Sequence, residues 1–493
     1  MLRTTDNHFI DSAGRQVILH GVNMVCKDKS RQYIGQWDIE DIKKLKQWGM
    51  NVIRLGVIWD GLEPEPGMFH DAYIEKLRRF IQLAAEHEVM VILDMHQDLY
   101  SAAYASGAPT WATITDGEIY EPGPVWSDAY LFNPAVQHAF DHFWANTAAP
   151  DGIGIQDHFI QAWTYLVEKL HVESNVIGYD LMNEPFIGGP VEQVNEALFS
   201  TFAEKYRERY GDIYMETLIA AWGAADKKLE LLSLLDDIEV FTSVIDATTL
   251  VLQPFEKHIL TSFYRDVASA IRPIDQTGIL FLETNYFSNL GVESRIEPIR
   301  DAKGNKDRNQ AYAPHAYDLV TDTDASHLAN GKRLEVIFNR HERTRQRLKM
   351  PMVIGEWGAF YQSDSCAHVS LYIQRLLEAL LCGDTYWHYE KDMDQSTAFL
   401  GVQRGYPMAV AGELLTYRYE HIVRAFHMSW SESDKLTQPT IIYLPSVKDI
   451  QITLTPIGSE YEVEKLAETD AGIVKIPVVG NWNRNIVITE MNQ

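Results

Sequence analysis

The segments Asp180-Leu-Met-Asn-Glu-Pro-Phe186 and Val353-Ile-Gly-Glu-Trp-Gly358 decide the fold class of this chain. Each is a short apolar run that ends in a glutamate at the point where a strand should stop. The two glutamates are far apart in the sequence, so only a large fold can bring them together. A parallel barrel does so, because residues at the C-terminal ends of its strands face one common cavity. We therefore expect Glu184 and Glu356 at the mouth of a barrel.

Short apolar runs alternate with longer amphipathic stretches on both sides of these segments, as in repeated strand, crossover helix and strand. The stretches Asp41–Trp48 and Ala72–His87 both have helical spacing. The eight predicted strands are Val17–Val22, Asn51–Val57, Met90–Met95, Val176–Met182, Gly278–Leu282, Ala311–His315, Pro351–Gly355 and Asp384–Trp387. The pattern predicts an α/β fold, a (β/α)₈ TIM barrel, with the two glutamates after the fourth and seventh strands.

Two segments exceed a minimal barrel. Residues 190–273 are strongly helical, which predicts a helical insertion after the fourth strand, above the barrel mouth. Beyond about Gly405 the pattern changes to short alternating strands, which predicts a C-terminal antiparallel β-sandwich. These strands are Thr440–Leu444, Ile450–Leu454, Gly472–Val478 and Asn485–Thr489. We therefore divide the chain into a catalytic barrel, residues 1–404 with the insertion, and a sandwich, residues 405–493.

Composition excludes several classes of function. A formal net charge of −26 argues against nucleic acid as a partner and against docking to anionic lipid, while uncharged lipid remains open. Three cysteines, Cys26, Cys366 and Cys382, are too few for a disulfide framework, and no pair has metal-ligand spacing. The N-terminal residues lack the apolar region of a signal peptide, so we expect a cytoplasmic location with reduced thiols.

Two carboxylates that meet across a cleft suit glycoside hydrolysis, in which one donates a proton to the leaving oxygen and the other attacks the sugar or activates water. Glu184 is the candidate acid/base, Glu356 the candidate nucleophile, and Asn183 can hold the sugar 2-hydroxyl. A single glutamate at a strand end is often a helix cap or a surface ion pair. The two motifs at matching strand ends favour catalysis.

Further candidates lie near the ends of other strands. Arg54 is expected to be buried and paired with Glu356, a structural ion pair being the alternative. His96 and Asp98 follow the third strand, and we expect one of them to contact sugar hydroxyls and the other to support it. Tyr317 can position the nucleophile, or be only a half-buried aromatic residue.

Trp387 closes the eighth strand, where its indole face can stack beneath a sugar ring. Core packing is the competing explanation for this residue, as it is for each of the 12 tryptophans.

The combination of Asn183-Glu-Pro185, His315-Ala-Tyr317 and Glu356 resembles glycoside hydrolase family 5, a group of retaining enzymes with a barrel fold. The segments Asp94–Tyr100, Gly107–Thr113 and Tyr406–Gly412 are similar to the endoglycoceramidase-related branch, which joins a barrel to a C-terminal β-sandwich. The resemblance implies that Glu184 is the acid/base and Glu356 the nucleophile. It also implies sugar-binding or supporting roles for Lys27, Asp98, Asn183, His315, Tyr317 and Trp387.

Two departures from that branch direct the functional prediction. The chain shows no signal peptide, and the long insertion beside the acid/base strand can close one end of the cleft so that a single terminal sugar enters. We therefore expect an exo-acting β-glucosidase that hydrolyses glucosylceramide or a similar lipid glucoside with retention. The carboxyl groups should lie about 5–5.5 Å apart, and the charge of Glu356 should raise the pKa of Glu184.

The expected substrate is a glycolipid, with transient contact to lipid or detergent micelles, no nucleic acid partner, and no metal or organic cofactor. Oligomeric state is left open. The alternatives are an endoglycoceramidase that releases intact oligosaccharide, a β-mannanase or cellulase with an open cleft, a non-catalytic carbohydrate- or lipid-binding barrel, and a scaffold whose insertion binds a protein.

Overall fold

The structure, a computed structural model, describes residues 2–123, 125–222, 225–323, 325–361 and 363–490. Its barrel strands are β1 His20–Met24, β2 Val52–Ile58, β3 Met90–His96, β4 Val176–Asp180, β5 Ile279–Leu282, β6 Gln310–Tyr312 with His315–Ala316, β7 Val353–Gly358 and β8 Gly383–Trp387. All neighbouring strands in this sheet are parallel. The first part of β6 pairs with β5 and its second part with β7, while β8 pairs with β1, so the sheet closes on itself. The predicted (β/α)₈ barrel is confirmed.

Helices cover the outside of this sheet. They bury apolar side chains at helical spacing, as Tyr73, Leu77 and Ile81 show in the second of them. The helices between barrel strands are Ile39–Gln47, Asp71–Glu86, Ile155–Leu170, Thr261–Ile271, Gly331–Leu348 and Ala367–Leu380. Shorter helices occupy the loops after β2 and β3, namely Trp59–Leu62, Asp128–Phe132 and Pro134–Trp144.

The first predicted strand, Val17–Val22, is divided between two sheets. Val17 pairs with Ala409 in an antiparallel sheet, whereas β1 begins only at His20. The Asn51 side chain stabilises the crossing, because it donates to the carbonyl of Ile18 and accepts from the His20 N–H. A continuous apolar run does not reveal where a chain passes from one sheet to another, so the sequence pattern did not indicate this division.

The helical insertion after β4 is confirmed. Its helices are Val191–Tyr210, Met215–Trp222, Ala225–Leu232, Ile238–Asp246, Thr249–Pro254 and the π-helical turn Phe255–Leu260. The last part of the predicted range, Thr261–Ile271, is instead a barrel helix, since its Phe263 ring lies 5.5 Å from that of Phe159 on the preceding barrel helix. Among the described residues no single helix is long and apolar enough to cross a membrane, although the bent pair Ile238–Asp246 and Thr249–Ile271 meets those criteria when taken together.

Two antiparallel sheets form the C-terminal β-sandwich. One contains Arg3–Thr4, Phe9–Ile10, Gln16–Val17, Tyr406–Val410, Thr440–Leu444, Gly472–Ile476 and Glu462–Lys465, and the other Gly412–Glu420, Ala425–Glu432, Asn483–Glu490 and Ile450–Thr455. Buried side chains of both sheets, such as Phe426, Trp430, Ile442 and Val474, pack between them. Three N-terminal strands thus belong to this sheet, and one of them, Gln16–Val17, pairs across the predicted boundary at residue 404. The division into two domains stays a prediction.

Candidate active site

Arg54 lies at the centre of the polar side chains inside the barrel and is 1% exposed. Its guanidinium donates to Glu356 Oε1 at 2.8 Å, Glu283 Oε1 at 2.6 Å, Asp180 Oδ2 at 2.8 Å and Asn183 Oδ1 at 2.9 Å. Burial by itself lowers the pKa of Arg54, but the surrounding carboxylates raise it well above its ordinary value. The permanently charged guanidinium on β2 therefore links side chains that lie on or just after β4, β5 and β7.

Glu184 and Glu356 meet above this arginine. Both are nearly inaccessible, with exposed fractions of 6% and 4%. One carboxylate oxygen of each lies within 4.8 Å of the other and of a ring nitrogen of His315. The Nδ1 atom of His315 is 2.9 Å from Glu184 Oε1 and 3.5 Å from Glu356 Oε2. The barrel thus brings the carboxylates of the two predicted glutamates close together.

The protonation of Glu184 is set first by burial. The pKa of Glu184 is raised to about 7. Burial is the largest cause, the hydrogen bond from His315 opposes it, and the charge of Glu356 is a smaller raising effect. The sequence-based expectation named Glu356 as the cause, and its contribution comes after burial because a desolvated carboxylate is disfavoured even without a charged neighbour. A group with this pKa can both hold and release a proton near neutrality.

Both oxygens of Glu356 are held by neighbouring donors. Arg54 donates to Oε1, and the hydroxyl of Tyr317 donates to Oε2 at 2.9 Å. The amide of Asn289 donates to Glu184 Oε1 at 2.8 Å. These hydrogen bonds restrict the rotation of both carboxylates, as a pre-oriented reaction centre requires.

The cavity that Glu184 and Glu356 border is also lined by Lys27, Asp98 and Trp387. The Nζ atom of Lys27 is 2.6 Å from Asp98 Oδ2 and 4.5 Å from the centroid of the Trp387 ring. His96 stacks on Trp387 at 5.3 Å with its Nε2 atom 3.3 Å from Asp98. Asp98 therefore borders the cavity, whereas His96 is 1% exposed and supports both residues from behind.

Charges stabilise this arrangement. Burial by itself raises the pKa of Asp98, but Lys27 and His96 hold it well below its usual range. Burial lowers the pKa of His96, yet Asp94 and Asp98 together raise it to about 9. The side chains thus form a row of alternating charges, Lys27, Asp98, His96 and Asp94, beside the Trp387 ring.

The sequence-predicted residues separate into two groups. Those that border the cavity are Lys27, Asp98, Glu184, Tyr317, Glu356 and Trp387. Those behind them are Arg54, His96, Asn183 and His315, each no more than 1% exposed. Asn183 accepts from Arg54 and donates to the carbonyl of Gln97, so its contact with a sugar 2-hydroxyl stays a prediction.

Sequence reasoning missed Glu283 and Asn289. Glu283 directly follows β5 and contacts Arg54, and its signal was present in Ile279-Leu-Phe-Leu-Glu283, the same strand-end glutamate pattern that identified Glu184 and Glu356. Asn289 lies in the loop after β5, where a single asparagine carries no recognisable sequence signal.

Two groups of side chains are close enough together to hold a cation, Glu184 with His315 and Glu356, and Asp94 with Asp180 and Glu283. Arg54 already lies against all three carboxylates of the second group, at 2.6 to 2.9 Å. Its guanidinium supplies the positive charge that a metal would bring there.

Glu184 and Glu356, the candidate catalytic pair, border one cavity of about 1220 Å³. We name Arg54, Glu184, Glu283, His315 and Glu356 the polar floor. Apolar side chains form another part of the cavity lining, which we name the apolar wall. These are Leu198, Phe202, Leu229, Leu232, Leu235, Phe241, Val244 and Ile245 of the insertion, with Phe287, Leu290, Val292 and Leu319 from the loops after β5 and β6.

The loops after β3, β6 and β7 are joined across this cavity. The carboxylate of Asp322 accepts from Trp126 Nε1 at 2.6 Å and from the hydroxyl of Tyr361 at 2.5 Å. All three side chains border the cavity, so their contacts help to define how much of it is open to solvent.

Two family profiles match the chain. One, described as Cellulase (glycosyl hydrolase family 5), matches residues 10–205 and 243–392, and the other, Glycoside hydrolase family 5 C-terminal domain, matches residues 404–477. The chain belongs to glycoside hydrolase family 5. The residues between the two matched parts of the first profile, 206–242, lie within the helical insertion, so part of the apolar wall of this family 5 protein has no counterpart in that profile.

Individual relatives are similar over parts of this family 5 chain. Endoglycoceramidase I of Rhodococcus hoagii is 34% identical over 189 residues, 38% of this chain and 37% of that protein. A glucosylceramidase of Rhizopus delemar is 29% identical over 237 residues, 36% of this chain and 35% of that protein. The matched regions thus span just over a third of each relative's length.

A solved structure of endo-glycoceramidase II from Rhodococcus sp., in complex with ganglioside GM3, has the same fold. It is 22% identical, covers 99% of this chain and 100% of its own, and superposes with a TM-score of 0.73. This similarity extends over the barrel, the insertion and the sandwich together.

Proposed function

We propose that this family 5 protein is a retaining, exo-acting β-glucosidase that hydrolyses glucosylceramide or a similar lipid glucoside. The observation that carries the proposal is one continuous cavity whose lining combines the polar side chains of Lys27, Asp98, Glu184 and Glu356 with the apolar wall. A glycolipid has the same division, because its sugar forms hydrogen bonds and its lipid part has only apolar surface to bury.

The geometry supports double displacement. Retaining pairs lie about 5–5.5 Å apart and inverting pairs about 6.5–9.5 Å apart, and oxygens of Glu184 and Glu356 approach within 4.8 Å. Glu356 attacks the anomeric carbon while Glu184 donates its proton to the departing lipid oxygen, so the glycosidic bond breaks as the glycosyl–enzyme bond forms. Glu184 then takes a proton from water, whose oxygen displaces Glu356 and releases glucose with net retention.

Two contacts support a pocket for a single sugar. The ion pair of Lys27 and Asp98 borders the cavity beside Trp387. The link from Trp126 through Asp322 to Tyr361 joins three loops over the cavity. We expect these side chains to limit the room for a second sugar.

The second candidate is an endoglycoceramidase that releases the intact glycan. The endoglycoceramidase relative and the GM3-bound structure of the same fold favour it. It differs from the first candidate only in the space beyond the first sugar.

The test is incubation of purified protein with glucosylceramide, lactosylceramide and a ganglioside, followed by identification of each released sugar. We expect free glucose from glucosylceramide and no sugar from the other two. Intact lactose or longer glycan would support the endo-acting candidate, and no release from any of the three would overturn both. Glu356→Gln protein serves as the control for contaminating hydrolases.

A further inference from the structure

Glu283 is a third glutamate of the polar floor and has no part in the reaction as described above. It directly follows β5 and is 1% exposed. Its Oε2 atom accepts the main-chain N–H of Glu184 at 2.7 Å. Its Oε1 atom accepts from Arg54 Nη2 at 2.6 Å and lies 3.1 Å from His315 Nε2. One carboxylate therefore contacts the main chain of the acid/base, the histidine that touches it, and the arginine that holds the nucleophile.

The main chain of Glu184 needs such a contact. Its φ angle is +43°, in the left-handed region that residues other than glycine rarely adopt. Glycine would relieve the strain but has no carboxylate to donate a proton. A strained conformation at a reaction centre persists only where its surroundings enforce it, and the hydrogen bond from the Glu184 N–H to Glu283 does so.

His315 connects the same two glutamates through its ring. Nδ1 faces Glu184 at 2.9 Å and Nε2 faces Glu283 at 3.1 Å. Because a carboxylate only accepts hydrogen bonds, the approach of Nε2 to Glu283 at 3.1 Å favours a proton on that nitrogen. Nδ1 is then free to accept from protonated Glu184 or, when it carries a proton, to donate to ionised Glu184. The His315 ring can therefore keep its contact with Glu184 in both protonation states of that glutamate without rotating.

We propose that Glu283 is a positioning residue for Glu184, which holds the acid/base main chain and the His315 tautomer so that the proton reaches the leaving-group oxygen. This inference rests on the proposed glycosidase function. The simpler explanation is a counter-ion for Arg54. However, Arg54 also lies 2.8 Å from Asp180 and from Glu356, and a counter-ion role does not account for the contacts of Glu283 with the Glu184 N–H and with His315.

The test variant is Glu283→Gln, which keeps the size of the side chain but leaves it one acceptor oxygen for three donors. Its kcat/KM is compared with wild type on methyl β-glucoside, whose leaving group needs a proton, and on 2,4-dinitrophenyl β-glucoside, whose leaving group needs none. We expect a loss of about 100-fold or more on the first substrate and less than about 10-fold on the second, because misplaced acid catalysis affects only poor leaving groups. Azide should accelerate turnover of the second substrate and yield β-glucosyl azide.

Asp180→Asn is the matched control. Asp180 is equally buried and accepts from the same arginine, so Asp180→Asn takes one carboxylate away from Arg54 and leaves the contacts of Glu283 in place. Any loss in this variant should be equal on both substrates. An equal loss on both substrates in Glu283→Gln would reduce Glu283 to a counter-ion and overturn the proposal.

A wild-type measurement covers the case in which Glu283→Gln does not fold. Nitrogen-15 histidine spectra, with His315→Gln for assignment, should show a proton on Nε2 of His315 between pH 5 and 8. A lone pair at that atom would overturn the proposal without any Glu283 variant. The kinetic comparison is also run on β-lactosides. Turnover of lactosides alone would end the exo-glucosidase proposal while leaving the test of Glu283 intact.

Discussion

The polar floor and the apolar wall of the cavity are built on opposite principles. Every group of the floor has named partners at hydrogen-bond distance, as when Arg54, Tyr317 and His315 surround Glu356. The wall consists of apolar side chains such as Phe241 and Ile245, which border the cavity and offer apolar surface without hydrogen-bonding groups. Interactions in the floor therefore depend on the direction of hydrogen bonds, and interactions at the wall depend on the apolar area that is buried.

This difference also appears in where the two regions lie. The floor is placed on or next to barrel strands, where a closed sheet holds each main-chain position. The wall includes Leu229, Leu232, Leu235 and Phe241, all within the residues that the family 5 barrel profile leaves unmatched. Part of the apolar wall thus lies outside the region that the family profile matches, whereas every residue of the floor lies inside it.

The largest effect is expected from Glu356→Gln, a substitution in the polar floor. We expect kcat to fall by about 10⁴-fold or more on every substrate, because the covalent step is lost whatever the leaving group. Measurement uses both a lipid glucoside and 2,4-dinitrophenyl β-glucoside. Glu378→Gln, a substitution of a buried glutamate that accepts from the main-chain N–H of Tyr419 in the sandwich, controls for the cost of losing any buried carboxylate. A loss confined to the lipid substrate would contradict the assignment of the nucleophile.

The pH profile sharpens the role of Glu184. Its pKa of about 7 means that the proton-donating form is present below that pH and is lost above it. We expect kcat/KM for a lipid glucoside to fall by about tenfold per pH unit above about 7. With the 2,4-dinitrophenyl glucoside this limb should be shallow, since that leaving group needs no proton. Identical limbs for the two substrates would contradict the acid role.

The smallest effect is expected at the cavity mouth. Leu229 and Leu328 border the cavity yet are 37% and 53% exposed, so serine at both positions removes apolar contact without opening the core. We expect KM for a long-chain lipid glucoside to rise by about 5- to 10-fold, from the lost apolar burial. KM for an aryl glucoside should not change. Leu250→Ser, at a residue that is 86% exposed and does not border the cavity, is the matched control, and an equal effect of that change would contradict a specific lipid contact.

Local sequence predicted much of this arrangement. Glu184 and Glu356 were recognisable because each ends an apolar run, and the run itself reports a buried strand. Glu283 shows the same signal and was not singled out, since one glutamate after one strand does not reveal which partners it will meet. Asn289 was not predictable, because its contact with Glu184 depends on how the loop after β5 folds back over the barrel.

The sequence by itself determined the barrel, the insertion after β4, the C-terminal sandwich and the two glutamates that meet above Arg54. These features follow from periodic burial, which each segment carries locally. Only the tertiary structure decided that Asp98 borders the cavity while His96 lies behind it, that burial outweighs Glu356 in raising the pKa of Glu184, and that N-terminal strands join the C-terminal sheet. Those outcomes depend on contacts between residues far apart in the chain, where packing and desolvation act on groups that no local pattern relates.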